Sequence, residues 1–349
     1  MPDLLRSCSR HLYYTVLQAF EIDSGGLMGK LVRPEMTDSP VVSSQGPTMI
    51  KKLCVPTLAV LAASCSSATR SSSEGPLTVG VDSGVSITLA SDLQWQQLNP
   101  ARGDQSPKAA DLWGNRKDSG ATGFLVEFVH GFSSPPHIHN VTYRGVVIEQ
   151  SVHNDDPKAD PMWMPTGSYW TQPKGAVHIT AAKGTRTRAY IEIDEGPYLV
   201  RPVEAAFVTD DKPVNMHASE IPWVSATELT TQGVPVTAPG ARAAVLWGRA
   251  QGAAPWGMLV EIRAGSDALL QAGGVPFRAV VVQGPATYQE AGAALATVLP
   301  PGSYLHSKGA GASISCGSEA KCVLYVRAEG RSGAANPQGY SLTSWQARP

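Results

Sequence analysis

The sequence predicts an all-β protein of two tandem domains that share one fold, each a sandwich or jelly roll. Three observations carry this. Gly and Pro supply 34 and 27 of the 349 residues, so turns are frequent and the segments between them are short, as strands are. Leu112-Trp113-Gly114 recurs as Leu246-Trp247-Gly248, which marks an internal duplication of domain-sized period rather than a solenoid. Segments 124–129, 144–148 and 189–193 are β-branched or aromatic and are bounded by Gly, Pro or Asp.

Charge narrows the function. The chain has 28 Lys and Arg against 29 Asp and Glu, a formal charge of −1. No whole-chain basic field draws in nucleic acid or an anionic membrane. No apolar run reaches the roughly 18–20 residues of a membrane-spanning helix.

From the N-terminus, residues 1–48 show neither a helical nor an alternating period, and they read as an upstream extension before the natural start. Met49 then opens a different pattern. Lys51 and Lys52 precede an apolar stretch over 53–63, followed by Ser64-Cys65, and this order describes a secretory signal. Small residues before a Cys resemble the lipobox of bacterial lipoproteins, with Ala62 in the place where Leu is usual. The resemblance implies cleavage after residue 64, a lipid on Cys65 and a Ser-rich tether over 65–80. Cys8 and Cys54 would then be absent from the mature chain. The expected location is the periplasm, or the outer membrane through that lipid, in a Gram-negative-like bacterium. A short buried segment is the alternative for 53–63, but the Ser-rich stretch after it argues for a tether. Cys316 and Cys322 flank a hairpin turn, where a disulfide suits an oxidising compartment. Two free thiols would suit a reducing one.

The duplication is detailed. Residues 112–150 set against 246–284 give 12 identities in 39 positions without a gap. After one deletion, Gly167-Ser168-Tyr169 matches Gly302-Ser303-Tyr304, and Trp95 pairs loosely with Trp223. The expected division is a first domain over 81–215 and a second over 216–349. Residues 286–299 have the best helical composition, yet their counterpart in the first repeat is a Pro/Asp loop.

Chemistry concentrates in the first repeat. His137 and His139 lie in Pro-Pro-His-Ile-His, and residues two apart on a strand face the same way. The run Pro173-Lys174-Gly175-Ala176-Val177-His178 is a tight turn that delivers a third imidazole. Three imidazoles suit a transition metal, whereas Mg and Ca prefer oxygen.

These residues resemble the cupin superfamily. Its first motif runs Gly, five residues, His-x-His, a Glu three or four residues on, and a closing Gly. Here Gly131, His137 and His139 fit it. The second motif, Gly, five residues, Pro-x-Gly, two residues, His, is complete in Gly167, Pro173, Gly175 and His178. The resemblance spans about 92–335 and implies two tandem cupin domains, each a double-stranded β-helix or jelly roll. The run from His137 to Val147 is similar to a bacterial bicupin group, domain of unknown function 4437, related to the cupin domain of the ChrR anti-sigma factor. The resemblance implies one divalent transition metal, Fe, Zn, Mn or Ni, on His137, His139 and His178. It departs at two places: Tyr143 occupies the Glu position and Gln150 the closing Gly. Tyr143 is a candidate catalytic residue, as a ligand, a hydrogen-bond donor or packing; its repeat partner is Phe277.

The second repeat is an internal control. His137, His139 and His178 fall on Gln271, Gly273 and Ala312, so all three ligands are lost together while framework residues remain. A degenerate, metal-free second cupin is expected. Among other residues, His153 reads as a solvated loop residue and His130 as a neighbour of the site. His217 and His306 read as structural or exposed. Trp163, Tyr169 and Trp170 are pocket or core residues. The sequon Asn140-Val141-Thr142 would matter only in a eukaryotic secretory route. Glu127 and Glu149 offer no assured general base.

Two functions fit. One is an enzyme, dioxygenase-like as in the thiol and diketone dioxygenases of this superfamily, or a zinc or nickel variant that activates water. The other is a non-enzymatic module that binds a metal or small ligand for sensing. The expected partners are a small-molecule ligand or substrate and no nucleic acid. A membrane partner enters only through lipid on Cys65, and a homodimer is a permitted assembly.

Overall fold

The computed structural model describes residues 84–331, apart from 226–227, 229–235, 238–239, 251 and 291. The extension, the signal, Cys65 and the whole tether expected above lie outside these residues. The described part is built from antiparallel strands. Turns are set by glycines in left-handed conformations, such as Gly167 and Gly302 at matching places in the two repeats.

Each repeat contributes one large sheet, and the two correspond strand for strand. In order across the first sheet lie Val214–Met216, Tyr169–Gln172, Tyr143–Asp155, Ile179–Ile193, Thr122–Phe128, Lys108–Trp113 and Gln96–Gln97. The second runs Val85–Thr88, Tyr304–Ser307, Phe277–Gln283, Cys322–Ala328, Trp256–Ile262, Arg242–Trp247 and Val224–Ser225. The edge strands are exchanged. Val85–Thr88 precedes the first repeat yet pairs with Tyr304–Ser307 of the second. Val214–Met216 precedes the second yet pairs with Tyr169–Gln172 of the first.

Three apolar clusters follow. One fills the first barrel, around Phe124, Tyr143, Val147, Trp170 and Ile191. Another fills the second, around Trp256, Phe277, Tyr288, Ile314 and Leu324. The third joins the two sheets, with Leu125, Tyr169 and Tyr190 against Leu259, Tyr304 and Tyr325. Alternation explains the division, because one face of each large sheet looks into its barrel and the other toward the second repeat.

Polar contacts across the junction are reciprocal. Arg144 lies 3.8 Å from the Trp247 ring centroid, and its counterpart Arg278 lies 4.5 Å from that of Trp113. The Trp113 indole N–H donates to Tyr190 Oη (3.1 Å) and that of Trp247 to Tyr325 Oη (2.9 Å). At the centre the symmetry breaks. Glu192 and Arg327 occupy equivalent positions with opposite charge, and Arg327 Nη1 donates to Glu192 Oε1 at 2.7 Å. Both side chains are buried, and Tyr190 and Tyr325 donate to the other carboxylate oxygen. Two like charges here would face each other without solvent.

Several expectations need correction. The strands at 144–148 and 189–193 are parts of much longer ones, Tyr143–Asp155 and Ile179–Ile193. His153 is therefore a buried strand residue, its Nδ1 3.3 Å from the Met162 carbonyl, and not a solvated loop residue. The continuity passes through Gln150, which holds a left-handed φ of 66°; its counterpart is Gly284 at 69°. Residues 286–299 form the strands Ala286–Gln289 and Thr297–Leu299 rather than a helix. Their pairing with each other and with Ala312–Cys316 overrides local propensity. Cys316 and Cys322 are joined by a disulfide.

Candidate metal centre

The site lies inside the first barrel. His137 and His178 exchange backbone hydrogen bonds, N–H to carbonyl, at 3.0 Å each way. That pairing brings the two motifs together although about forty residues separate them. His139 sits two residues on, in a short strand paired with Val200–Arg201. The Pro-x-Gly turn is seated by Lys174 N–H on Thr142 Oγ1 (3.1 Å) and by Gly175 N–H on the His139 carbonyl (2.9 Å). Gly175 has φ +76°, and a Cβ there would meet the Phe207 carbonyl oxygen at 2.5 Å, so only glycine fits.

The tautomers are determined by the backbone. His137 Nδ1 lies 2.9 Å from the Pro135 carbonyl, His139 Nδ1 3.1 Å from that of Leu199, and His178 Nδ1 3.1 Å from that of Ala176. A carbonyl only accepts, so each Nδ1 carries the proton and each Nε2 presents a lone pair. The three rings bring ligand atoms within 4.8 Å of one another, and all three residues are buried. His137 Nε2 and His139 Nε2 lie 3.2 Å apart. With both protons on Nδ1, no hydrogen lies between them. Two nitrogens sharing one ion at about 2.1 Å are roughly 3–3.4 Å apart, so the donor set fits a transition metal. Burial holds the imidazoles neutral: His137 is lowered from its ordinary value, His139 well below it, and His178 to about 3.

Polar side chains surround the ligands. Tyr143, on the long strand Tyr143–Asp155, reaches to 3.3 Å from His178 Nε2 and donates its proton to Asn154 Oδ1 at 2.8 Å. Thr180 donates to the same oxygen (2.8 Å), Asn154 donates to Gln172 Oε1 (3.0 Å), and Gln172 donates to the Ala176 carbonyl (3.2 Å). That carbonyl also anchors His178 Nδ1, so the chain of bonds closes on a ligand. Burial raises the Tyr143 and Tyr198 phenols above their ordinary value, which keeps both protonated.

Sequence reasoning missed Tyr198. Its ring stacks on His139 with centroids 4.2 Å apart, and its Oη lies 3.1 Å from His139 Nε2. Asn140, noted above only as a sequon, fixes it. Its side chain donates to the Pro197 carbonyl (2.9 Å) and accepts from Leu199 N–H (2.8 Å). The visible signal was the Gly196-Pro197 turn, whose peptide bond is cis.

Other candidates lie elsewhere. His130 is exposed and bonded to the Gly184 carbonyl, so it is not a neighbour of the site. Tyr169 and Trp170 are buried core residues, while Trp163 is half-buried under Lys183. Glu127 pairs with Arg188 (2.7 Å) and Glu149 with Arg186 (3.4 Å) outside the barrel. Among the described residues, His137, His139 and His178 form the one group of three or more potential ligands. At the equivalent place in the second repeat, Ala312 is buried among apolar residues.

The family described as "Domain of unknown function (DUF4437)" matches residues 86–334. The chain belongs to that family. No curated protein matches it. Among solved structures, a Nostoc punctiforme protein with a provisional dioxygenase name is similar at TM-score 0.52 and 13% identity, covering 74% of this chain and 89% of that one. Salicylate 1,2-dioxygenase from Pseudoaminobacter salicylatoxidans gives 0.44 and 16%, over 70% and 81%. The first likeness is one of fold. With the site geometry, the chain has an all-β fold of two tandem jelly rolls and a three-histidine cluster suited to a divalent metal.

Proposed function

We propose that His137, His139 and His178 bind one divalent transition metal through Nε2, and that the site carries out dioxygenase-like oxidation of a small anionic molecule. One observation carries this reading: three neutral lone pairs converge in a buried site with no carboxylate among the ligands. Neutral donors leave the full double charge of the ion to be balanced, which favours a substrate bearing a carboxylate or another anionic oxygen or sulfur. The ion would supply Lewis-acid or redox chemistry at the positions the histidines leave open.

The residues of the chain position and donate. The carbonyls of Pro135, Leu199 and Ala176 orient the three rings, as outer partners of metal-binding imidazoles do. Tyr143 donates its O–H hydrogen bond to Asn154 Oδ1, which turns an oxygen lone pair toward His178. Once His139 Nε2 is committed, the Tyr198 O–H is free to donate to a bound ligand oxygen. No carboxylate base is positioned, so proton transfer would fall to these phenols.

The test is oxygen uptake by the iron-loaded protein, against a panel of small hydroxy acids, thiols and diketones. Substrate-dependent uptake that disappears in His178→Ala supports the reading. No uptake with any of them, while the metal is retained, would leave the sensing alternative standing. We also propose export with a lipid on Cys65, to which the Cys316–Cys322 disulfide lends support.

A further inference from the structure

A cavity of about 150 Å³ lies between the repeats, on the outer face of the strands whose inner face carries Tyr143 and Gln172 beside the metal site. Tyr143, Trp170 and Gln172 point into the barrel; Arg144, Tyr169 and Thr171, alternating with them, line this second space. Its polar groups are nearly all donors. The Tyr169 hydroxyl is fully buried and has no hydrogen-bond partner. Thr142 Oγ1 accepts from Lys174 N–H, which leaves its own proton free. The Arg144 guanidinium is held against Trp247, with Nη2 bonded to Asp194 Oδ2 at 2.7 Å and Nη1 in a longer ion pair with Glu192 at 3.7 Å, beyond hydrogen-bond distance. Lys212 adds an ammonium at the mouth, and Asp211 is the sole carboxylate in the lining. The remaining wall, including Leu246 and the Trp247 ring, is apolar.

A buried phenol O–H without an acceptor is rare, since such a group loses its hydration without compensation. A surplus of donors around an apolar wall calls for a ligand with an anionic acceptor at one end and an apolar body at the other. We propose that this cavity is a second ligand site, separate from the metal centre, that binds a small organic carboxylate. Its carboxylate accepts from Tyr169, Arg144 and Lys212, and its body rests on Trp247 and Leu246. The cavity lies on the two strands that carry Tyr143 and Gln172, so its occupancy bears on the placement of these neighbours of the metal centre.

The test is calorimetric titration of the metal-loaded full chain with benzoate, with benzylamine as the cation control. Benzoate should bind and benzylamine should not. Tyr169→Phe and Lys212→Ala should each weaken benzoate about tenfold or more, the loss expected for one charge-assisted hydrogen bond, with metal content unchanged. Binding should persist after the metal is stripped, which separates this site from the one proposed above. Four results would overturn the proposal: no benzoate binding at 10 mM (roughly 3 kcal/mol), equal affinity in both variants, equal binding of benzylamine, or binding that vanishes with the metal.

Discussion

The two repeats place the same frame around different interiors. Sheet order, the Trp–Tyr bonds and the Arg–Trp stacks recur on both sides of the junction. Inside the barrels the three histidines do not recur, although Gln172 on the Ala176 carbonyl has a counterpart in Ser307 on the Ala310 carbonyl. Where the first repeat has Tyr143, Asn154, Thr180 and the three histidines, the second has Phe277, Tyr288, Ile314, Gln271, Gly273 and Ala312. Ligands and their hydrogen-bonded neighbours are thus replaced as a set, and Phe277, Tyr288, Ile314 and Ala312 pack into a continuous apolar core. The fold stands without the site. The histidine set belongs to one barrel alone, while the contacts that join the two repeats are common to both.

If the frame depends on the junction, breaking it should have the largest effect. Arg327→Ala removes the cation hydrogen-bonded to buried Glu192 and leaves only Arg144, at 3.7 Å, beside it, and should destabilise the protein by about 3 kcal/mol in denaturant unfolding. A loss under 1 kcal/mol (roughly) would mean the repeats are held by apolar contact alone.

Tyr143→Phe moves the first interior one step toward the second. Its hydroxyl bonds Asn154 beside a ligand, so chelator competition should show metal affinity falling roughly 10–100-fold. Unchanged affinity would show the ring is there for shape, as Phe277 is.

Acid should also separate the interiors. The three histidines are buried neutral, His178 at about 3 against an ordinary 6.5. Below 6.5 the unfolded chain takes up protons that the folded chain does not. Stability of the metal-free protein is therefore intact above 6.5 and is lost progressively as pH falls toward 3. His178→Gln should flatten that slope; an unchanged slope would place the acid response elsewhere.

The smallest effect is at Gln150, where the second repeat uses Gly284 for the same left-handed backbone. Gln150→Gly removes a strain of about 1–2 kcal/mol but also the packing of its side chain on Gly184. Thermal melts should show stabilisation of about 1 kcal/mol or less. Clear destabilisation would mean that the side-chain contact outweighs the backbone strain.

Much of this was legible in the residues themselves. The duplication, the strand-rich character and the His-x-His and Pro-x-Gly-x-x-His patterns are local, and local patterns survive in a single sequence. Tyr198 was not legible, because it reaches His139 from 59 residues away through a turn with no periodic signal. His153 was misplaced because Gln150 looks like an ordinary strand residue and hides the left-handed position through which the strand runs on to Asp155. The exchanged edge strands were invisible for a related reason: Val85–Thr88 alternates as any edge strand does, and its partner is set by packing.

The central claim is that one barrel holds a metal and the other does not. Elemental analysis of the untagged protein tests it most directly, with His178→Ala measured alongside. The account predicts one transition-metal equivalent per chain, and near none in the variant, because ligation depends on all three imidazoles together. Two equivalents per chain, or undiminished metal in His178→Ala, would contradict it.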